Sequence, residues 1–167
     1  MKAEKFEKYS FNKATLDMQR VKFDEVHKIE LLRLQEGRSS KNPIPIIFDT
    51  NFLFVTFEFR IDFISEILKI AGSNTQFYIY EGTLGELENI ERKGDKNKKF
   101  LPLITKMFAT YNFKIIKSNQ AYIDDQILEN ADKKILIATN DKELRQLLWK
   151  VPARVMYMRQ KSYLEIK

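Results

Sequence analysis

From residue 44 onward the chain alternates short apolar runs with longer segments of helical period, and this alternation limits the possible folds most strongly. The runs are rich in β-branched and aromatic residues, which favour strands. Strands separated by helices predict a mainly parallel sheet covered on both faces. We therefore expect an α/β fold, a three-layer α/β/α sandwich with a mainly parallel central sheet. The predicted strands are 44–48, 77–80, 113–116, 135–138 and 154–158, and the predicted helices are about 59–70, 83–92, 100–111, 125–131 and 142–149.

The first 43 residues show a different pattern. They contain no strand-like run and end in turn-forming residues over 37–43. Apolar residues recur at near-helical spacing over 14–34, which predicts one helix with a broad apolar face. We therefore divide the chain into an N-terminal helical extension, 1–43, and a single α/β domain, 44–167.

Composition excludes several kinds of chemistry. The chain has no cysteine, which excludes disulfides, thiolate zinc sites and a cysteine nucleophile and predicts a cytoplasmic protein. Its single histidine, His27, excludes mechanisms that need two imidazoles. No apolar run approaches the roughly 20 residues that span a bilayer, so we expect no membrane association. The 29 basic and 23 acidic residues give a net charge of +6, which favours a polyanionic partner such as nucleic acid.

An acidic residue follows each of the first four predicted strands. Ligand sites in open parallel sheets lie beyond the carboxyl ends of the strands, so we expect these carboxyl groups to converge in one cleft. The acids are Asp49, directly after the first strand; Glu86, one turn into the following helix; Asp124 and Asp125, at the start of the next helix; and Asp141, three residues after the fourth strand.

Carboxylates that converge without basic partners repel one another, and a bound cation relieves the repulsion. Oxygen ligands without cysteine or histidine select Mg²⁺ or Mn²⁺. One or two such ions activate water for in-line attack on a phosphodiester. An acidic cleft in a basic protein is therefore typical of a nuclease.

Structural roles also fit some of these residues. Thr83 and Glu86 have the spacing of a helix capping box, and Asp124 and Asp141 are common N-cap types. Trp149 fits a core position better than a base-stacking one. The basic segment 92–99 is either a solvated loop or a contact to an RNA backbone, through Arg92, Lys93, Lys96, Lys98 and Lys99.

Four sequence motifs, at 46–51, 82–87, 123–128 and 138–144, resemble in order and spacing those of PIN domain ribonucleases. The last motif is most similar to the branch of small-subunit ribosomal RNA-processing endonucleases and their archaeal relatives, and VapC-type toxins share the fold. The resemblance implies cleavage of single-stranded RNA with Mg²⁺ or Mn²⁺. It implies that the ion is held by Asp49, Glu86, Asp125 and Asp141, with Asp124 as a cap or auxiliary ligand, and that Asn51 and Thr139 orient the first and last acids.

The leading hypothesis is thus a metal-dependent endoribonuclease that leaves a 5′-phosphate, with ribosomal RNA as one candidate substrate. The alternatives are a catalytically silent PIN-like scaffold that binds RNA or a ribosome-assembly factor, and a VapC-type toxin with an antitoxin partner. A homodimer is a further expectation. A phosphotransfer domain fits less well, because Asp49-Thr50-Asn51 lacks the second acid of an Asp-x-Asp motif.

Overall fold

The computed structural model of the chain describes residues 20–21, 43–118 and 122–167. Within these ranges the centre of the fold is a seven-stranded sheet of order β1-β4-β3-β2-β5-β6-β7, in which only the last pair is antiparallel. The strands are β1 (Arg20–Val21), β2 (Ile44–Phe48), β3 (Thr75–Tyr80), β4 (Lys114–Ile116), β5 (Leu136–Ala138), β6 (Arg154–Arg159) and β7 (Tyr163–Ile166).

Helices cover both faces of the sheet. They are a 3-10 helix (Thr50–Phe54), α1 (Val55–Phe59), α2 (Phe63–Ala71), α3 (Glu81–Lys93), a second 3-10 helix (Lys96–Phe100), α4 (Leu101–Thr110), α5 (Ile123–Glu129) and α6 (Lys142–Leu148). Apolar side chains of α5 and α6 share one buried cluster with the sheet, and those of α2, α3 and α4 share the other. The predicted three-layer α/β/α sandwich is confirmed.

All five predicted strands are present, and the structure adds two. β7 returns antiparallel to β6, and β1 pairs with β4 at the opposite edge of the sheet. The helix predicted over 59–70 begins at Phe63 and is preceded by the first 3-10 helix and α1.

The N-terminal extension lies largely outside the described residues. Arg20 and Val21 form a strand where the sequence predicted part of a continuous helix, so that helix is wrong at these two positions. The rest of the predicted helix, including His27, falls on residues that the structure does not describe. The division of the chain at residue 43 stays a prediction.

A cluster of phenylalanine rings anchors the carboxyl end of β2. Phe48 is fully buried, and its ring lies 5.1–5.8 Å from the centroids of four other rings, those of Phe52, Phe63, Phe77 and Phe113. Ring contacts of this kind stabilise a core beyond the area that they bury. The residue after Phe48 therefore leaves the core from a fixed position.

The register of β2 and β5 determines which residues meet at the edge of the sheet. Phe48 pairs with Ala138 in parallel, and the amide of Asp49 donates to the carbonyl of Ala138 at 2.9 Å. The next residue of each strand, Asp49 and Thr139, thus leaves the sheet at the same level. Among the described residues, no helix is long and apolar enough to cross a membrane.

Candidate active site

A cleft of about 320 Å³ opens at the carboxyl ends of the parallel strands, as the strand order predicted. It receives side chains from the first 3-10 helix, α3, the second 3-10 helix, α5 and the start of α6. Four carboxylates face it, and none of the described residues that line it is basic. The lining residues are Asp49, Thr50, Asn51, Phe54, Glu86, Ile90, Asn97, Asp124 and Asp141.

Asp49 is the most deeply placed of these acids, with 5% of its surface exposed. Both of its carboxylate oxygens accept hydrogen bonds. Oδ1 accepts from the amide of Thr50 at 2.8 Å, and Oδ2 accepts from the hydroxyl of Thr139 at 2.7 Å. These two bonds fix the orientation of the carboxylate at the mouth of β2.

Burial raises the pKa of Asp49 from 3.8 to about 6. The hydrogen bond from Thr139 opposes this rise, and the nearby carboxylates of Asp124 and Glu86 add to it. The Asp49 carboxyl therefore sits where a negative charge is costly and where no cationic side chain lines the cleft. A bound cation would lower that cost.

Glu86 reaches the cleft from the second turn of α3. Its side chain is exposed overall, yet partial burial and the charge of Asp124 raise its pKa, while a hydrogen bond from the Thr50 hydroxyl opposes the rise. Thr50 also contacts the fully buried Thr83, with 3.3 Å between the two hydroxyl oxygens. The alternative capping-box role of Thr83 is wrong, because α3 begins at Glu81 and Tyr80 is its N-cap.

Asp124 lines the cleft, and Asp125 does not. Burial raises the pKa of Asp124, and the charges of Asp141 and Asp125 raise it further. Successive helical residues point about 100° apart, so the two neighbouring carboxylates leave α5 in different directions. Asp49, Glu86 and Asp141 thus line one cleft, and the fourth carboxylate there is that of Asp124, where the sequence favoured Asp125. The N-cap of α5 is Tyr122, so Asp124 does not have the capping role considered for it.

Asp141 combines a structural role with its position in the cleft. It is the N-cap of α6, and its Oδ1 accepts from the amide of Leu144 at 2.8 Å. Its own amide donates to the Thr139 hydroxyl oxygen at 3.1 Å. Thr139 therefore connects the first and last acids, since the same hydroxyl donates to Asp49.

Asn51 has a different set of contacts from the one expected for it. Its Oδ1 accepts from the backbone amide of Asn140 at 3.1 Å, and Asn140 Oδ1 accepts from the amide of Met158 at 3.1 Å. This amide chain joins the first 3-10 helix to the ends of β5 and β6. The hydrogen bond that the structure gives for the Asn51 side chain thus supports the loop that carries Asp141, and it does not involve a carboxylate.

The predicted basic segment begins beside the cleft. Arg92 and Lys93 lie in the last turn of α3, and Lys96, Lys98 and Lys99 lie in the second 3-10 helix. All but Lys98 are exposed. Asn97, from the middle of this segment, lines the cleft itself. The segment that carries the five cations therefore passes the cleft at Asn97, and we call it the basic rim.

Four residues of the site were not predicted from the sequence: Thr50, Thr83, Asn97 and Asn140. Three of them adjoin predicted positions, since Thr50 follows Asp49, Asn140 follows Thr139, and Thr83 lies one turn before Glu86. Their neighbours were the available signal. For Asn97 the sequence offered none, because its place depends on how the second 3-10 helix packs.

The donors of the cleft fit a hard divalent cation. Four carboxylates and no thiolate or imidazole among the described lining residues form a set that suits Mg²⁺ or Mn²⁺. In this arrangement no three acidic or histidine side chains of the described ranges stand close enough to enclose one ion. An ion in this cleft would therefore contact at most two of the carboxylates at once.

The fold and the acidic cleft agree with the result of a comparison with protein families. A family model described as a PIN-like domain matches residues 46–161, a range that contains the entire cleft, so the chain belongs to this family. The chain is 34% identical over 124 residues to ribonuclease VapC4 of Methanocaldococcus jannaschii. The aligned region covers 72% of this chain and 95% of VapC4. Its fold is similar to that of the PIN domain endonuclease Utp24, with a TM-score of 0.60 at 21% identity, over 75% of this chain and 92% of the other.

Proposed function

We propose that the protein is a metal-dependent endoribonuclease that hydrolyses single-stranded RNA. One observation carries the proposal: the buried Asp49, with a pKa raised to about 6, lies in a cleft with three further carboxylates and without a cation among the described lining residues. A structural ion pair would have supplied a basic partner. The names of the relatives, a ribonuclease and an endonuclease, support the same activity.

The acids that would hold Mg²⁺ or Mn²⁺, one or two of them directly and the others through waters of the ion, are Asp49, Glu86, Asp124 and Asp141. A divalent ion in such a site supplies charge stabilisation to the phosphoryl group and activates water for in-line attack. Thr139 keeps Asp49 in one orientation and holds the start of α6, which carries Asp141. The Thr50 hydroxyl favours the ionised form of Glu86. The two hydroxyls thus favour the ionised forms of Asp49 and Glu86, and that of Thr139 also fixes the orientation of Asp49.

The cations at the rim would hold the RNA backbone. The cleft is lined by acids, whereas the neighbouring basic rim exposes four cations: Arg92, Lys93, Lys96 and Lys99. The RNA phosphates that flank the cleaved one would therefore bind positive charge. Ribosomal RNA stays one candidate substrate. An antitoxin, a ribosome-assembly factor and a homodimer stay predictions about partners.

Cleavage of a 5′-labelled single-stranded RNA tests the proposal. We expect products with Mn²⁺ and Mg²⁺, none with EDTA, and a loss of at least about a hundredfold in Asp49→Asn, because that change removes the charge at the deepest ligand. The downstream product should carry a 5′-phosphate. Asp62→Asn is a suitable control, since this exposed residue caps α2 and does not line the cleft.

Two results would contradict the proposal. Equal cleavage in EDTA would exclude the metal, and equal cleavage by Asp49→Asn would place the chemistry elsewhere. If RNA binds to both proteins and several single-stranded sequences stay intact, the scaffold hypothesis takes precedence.

A further inference from the structure

A group of aromatic rings and cations lies at the end of α6, outside the cleft. Trp149 was expected in the core, yet 39% of its surface is exposed. Its ring packs edge-on against that of Tyr157, with 5.9 Å between centroids. The Arg145 guanidinium lies 4.6 Å from the Tyr157 centroid and 5.9 Å from that of Trp149, and Lys167 Nζ lies 4.5 Å from the Trp149 centroid. We call these four residues the Trp149 patch.

The cations of the Trp149 patch lack acidic partners in the described part of the chain. Neither Arg145 nor Lys167 forms an ion pair there, and Arg145 Nε is buried without a hydrogen-bond partner. Over 144–154 the sequence has three basic residues and no acidic one. The planar guanidinium of an arginine that stacks on a ring still presents its terminal N–H groups at the edge, where they suit a phosphate.

Helix α6 connects the Trp149 patch to the cleft. Asp141, Arg145 and Trp149 follow one another at intervals of four residues, so they lie along one side of the helix. Eight residues of helix span about 12 Å. This distance corresponds to roughly four nucleotides at the 3.4 Å spacing of a stacked strand. A strand with its reacting phosphate near Asp141 can therefore reach the indole.

We propose that the Trp149 patch is a second contact for single-stranded RNA, in which one base stacks on Trp149 and the adjacent phosphates bind Arg145 and Lys167. The inference rests on the proposed function, since the same strand would occupy the cleft. Stacking on an exposed aromatic ring flanked by cations is a general way to hold single strands without reading their sequence. Lys167, now over the ring, has a long side chain that can turn to a phosphate when a base takes its place.

Fluorescence of the protein gives a direct test, because Trp149 is its only tryptophan. In EDTA, with Asp49→Asn to prevent cleavage, a 12-nucleotide single-stranded RNA should quench the emission in a saturable manner. Arg145→Gln and Lys167→Gln should each weaken binding, and each should reduce the slope of log affinity against log salt by about 0.7 for a lost phosphate contact. Unchanged emission at saturating RNA, with binding shown by a labelled strand, would overturn the proposal.

Kinetics give an independent test that separates the two proposals. Trp149→Leu should raise KM for the 12-nucleotide RNA about tenfold and leave kcat unchanged, whereas a trinucleotide too short to reach the Trp149 patch should be cleaved as before. Tyr111→Leu is the control, because Tyr111 is similarly exposed, at 42%, and its ring contacts Phe77 in the other buried cluster, away from Tyr157. Normal cleavage with an unchanged KM would overturn the second contact alone. Quenching without cleavage by any variant would support the second contact and contradict the nuclease.

Discussion

At the residue scale, Thr139 determines how well the first acid works. Its hydroxyl donates to Asp49 and opposes the rise in the pKa of that carboxyl. Thr139→Val should move this pKa above about 6, so that the acidic limb of the rate profile shifts to higher pH. We expect at least about a tenfold loss of RNA cleavage near pH 6, with partial recovery by pH 8.

The pH–rate profile between pH 5 and 8.5 checks this prediction. Thr139→Ser keeps the hydroxyl and should retain the profile of the original protein. A valine variant with an unshifted profile would show that the hydrogen bond does not control the charge of Asp49.

The neighbouring acids of α5 offer a second prediction at this scale. Asp124→Asn should lower cleavage at least about tenfold more than Asp125→Asn, because only Asp124 lines the cleft. Parallel assays with Mn²⁺ titrated into each variant give the measurement. If Asp125→Asn has the larger effect, the ligand set implied by the sequence resemblance is the correct one.

At the scale of single elements, two glycines of one helical segment should respond in opposite ways to alanine. Gly94 ends α3 with φ of +65°, where a side chain is strained, whereas Gly85 lies inside α3 and an added Cβ would meet no atom within 4 Å. Gly94→Ala should lower the free energy of unfolding by about 1 kcal/mol, and Gly85→Ala should raise it by about 0.5–1 kcal/mol. Urea unfolding of the two variants measures both changes.

The two glycine variants also test whether the second 3-10 helix depends on its turn. Gly94→Ala should reduce RNA cleavage more than its effect on stability explains, because the turn positions Asn97 and the basic rim. If both variants raised the free energy of unfolding, alanine at position 94 would not be strained, and the left-handed conformation of Gly94 would not be required for stability in solution.

The elements show which parts of the fold could be predicted. β2 was predicted with its observed bounds, because its β-branched and aromatic residues and the acid that follows them give a clear signal in the local sequence. The hairpin from β6 to β7 was not predicted from the sequence. Its turn has Gln160 and Lys161 at positive φ, whereas asparagine and glycine are the residues that usually indicate such a turn. The choice between Asp124 and Asp125 depended on the rotation of α5, which spacing along the chain does not determine. Asn97 and the exposure of Trp149 follow from tertiary packing alone.

At the scale of the whole molecule, the acidic cleft should make stability depend on pH. A folded-state pKa of about 6 for Asp49, against 3.8 in the unfolded chain, means that the folded protein holds this proton more tightly. Protonated Asp49 therefore adds up to about 3 kcal/mol to the free energy of unfolding. This contribution is fully present below about pH 4 and is lost as pH rises through 6. The raised pKa values of Glu86 and Asp124 act in the same direction.

Urea unfolding in EDTA at pH 5 and pH 7 measures this dependence. Asp49→Asn should reduce the difference between the two pH values, which separates this acid from the others. Millimolar Mg²⁺ should restore stability at pH 7 and have little effect at pH 5, because an ion that binds the folded state stabilises it. An equal effect of Mg²⁺ on Asp49→Asn would place the ion elsewhere.

The bond between the Asp49 amide and Ala138 has a consequence for how the molecule opens. That amide lies between two central strands, behind the rings around Phe48. Local fluctuations that admit solvent begin at edges and loops and leave such a bond closed. In hydrogen–deuterium exchange the Asp49 amide should therefore rank with the slowest in the protein. The first acid of the cleft would then lose its place only when the entire sheet comes apart.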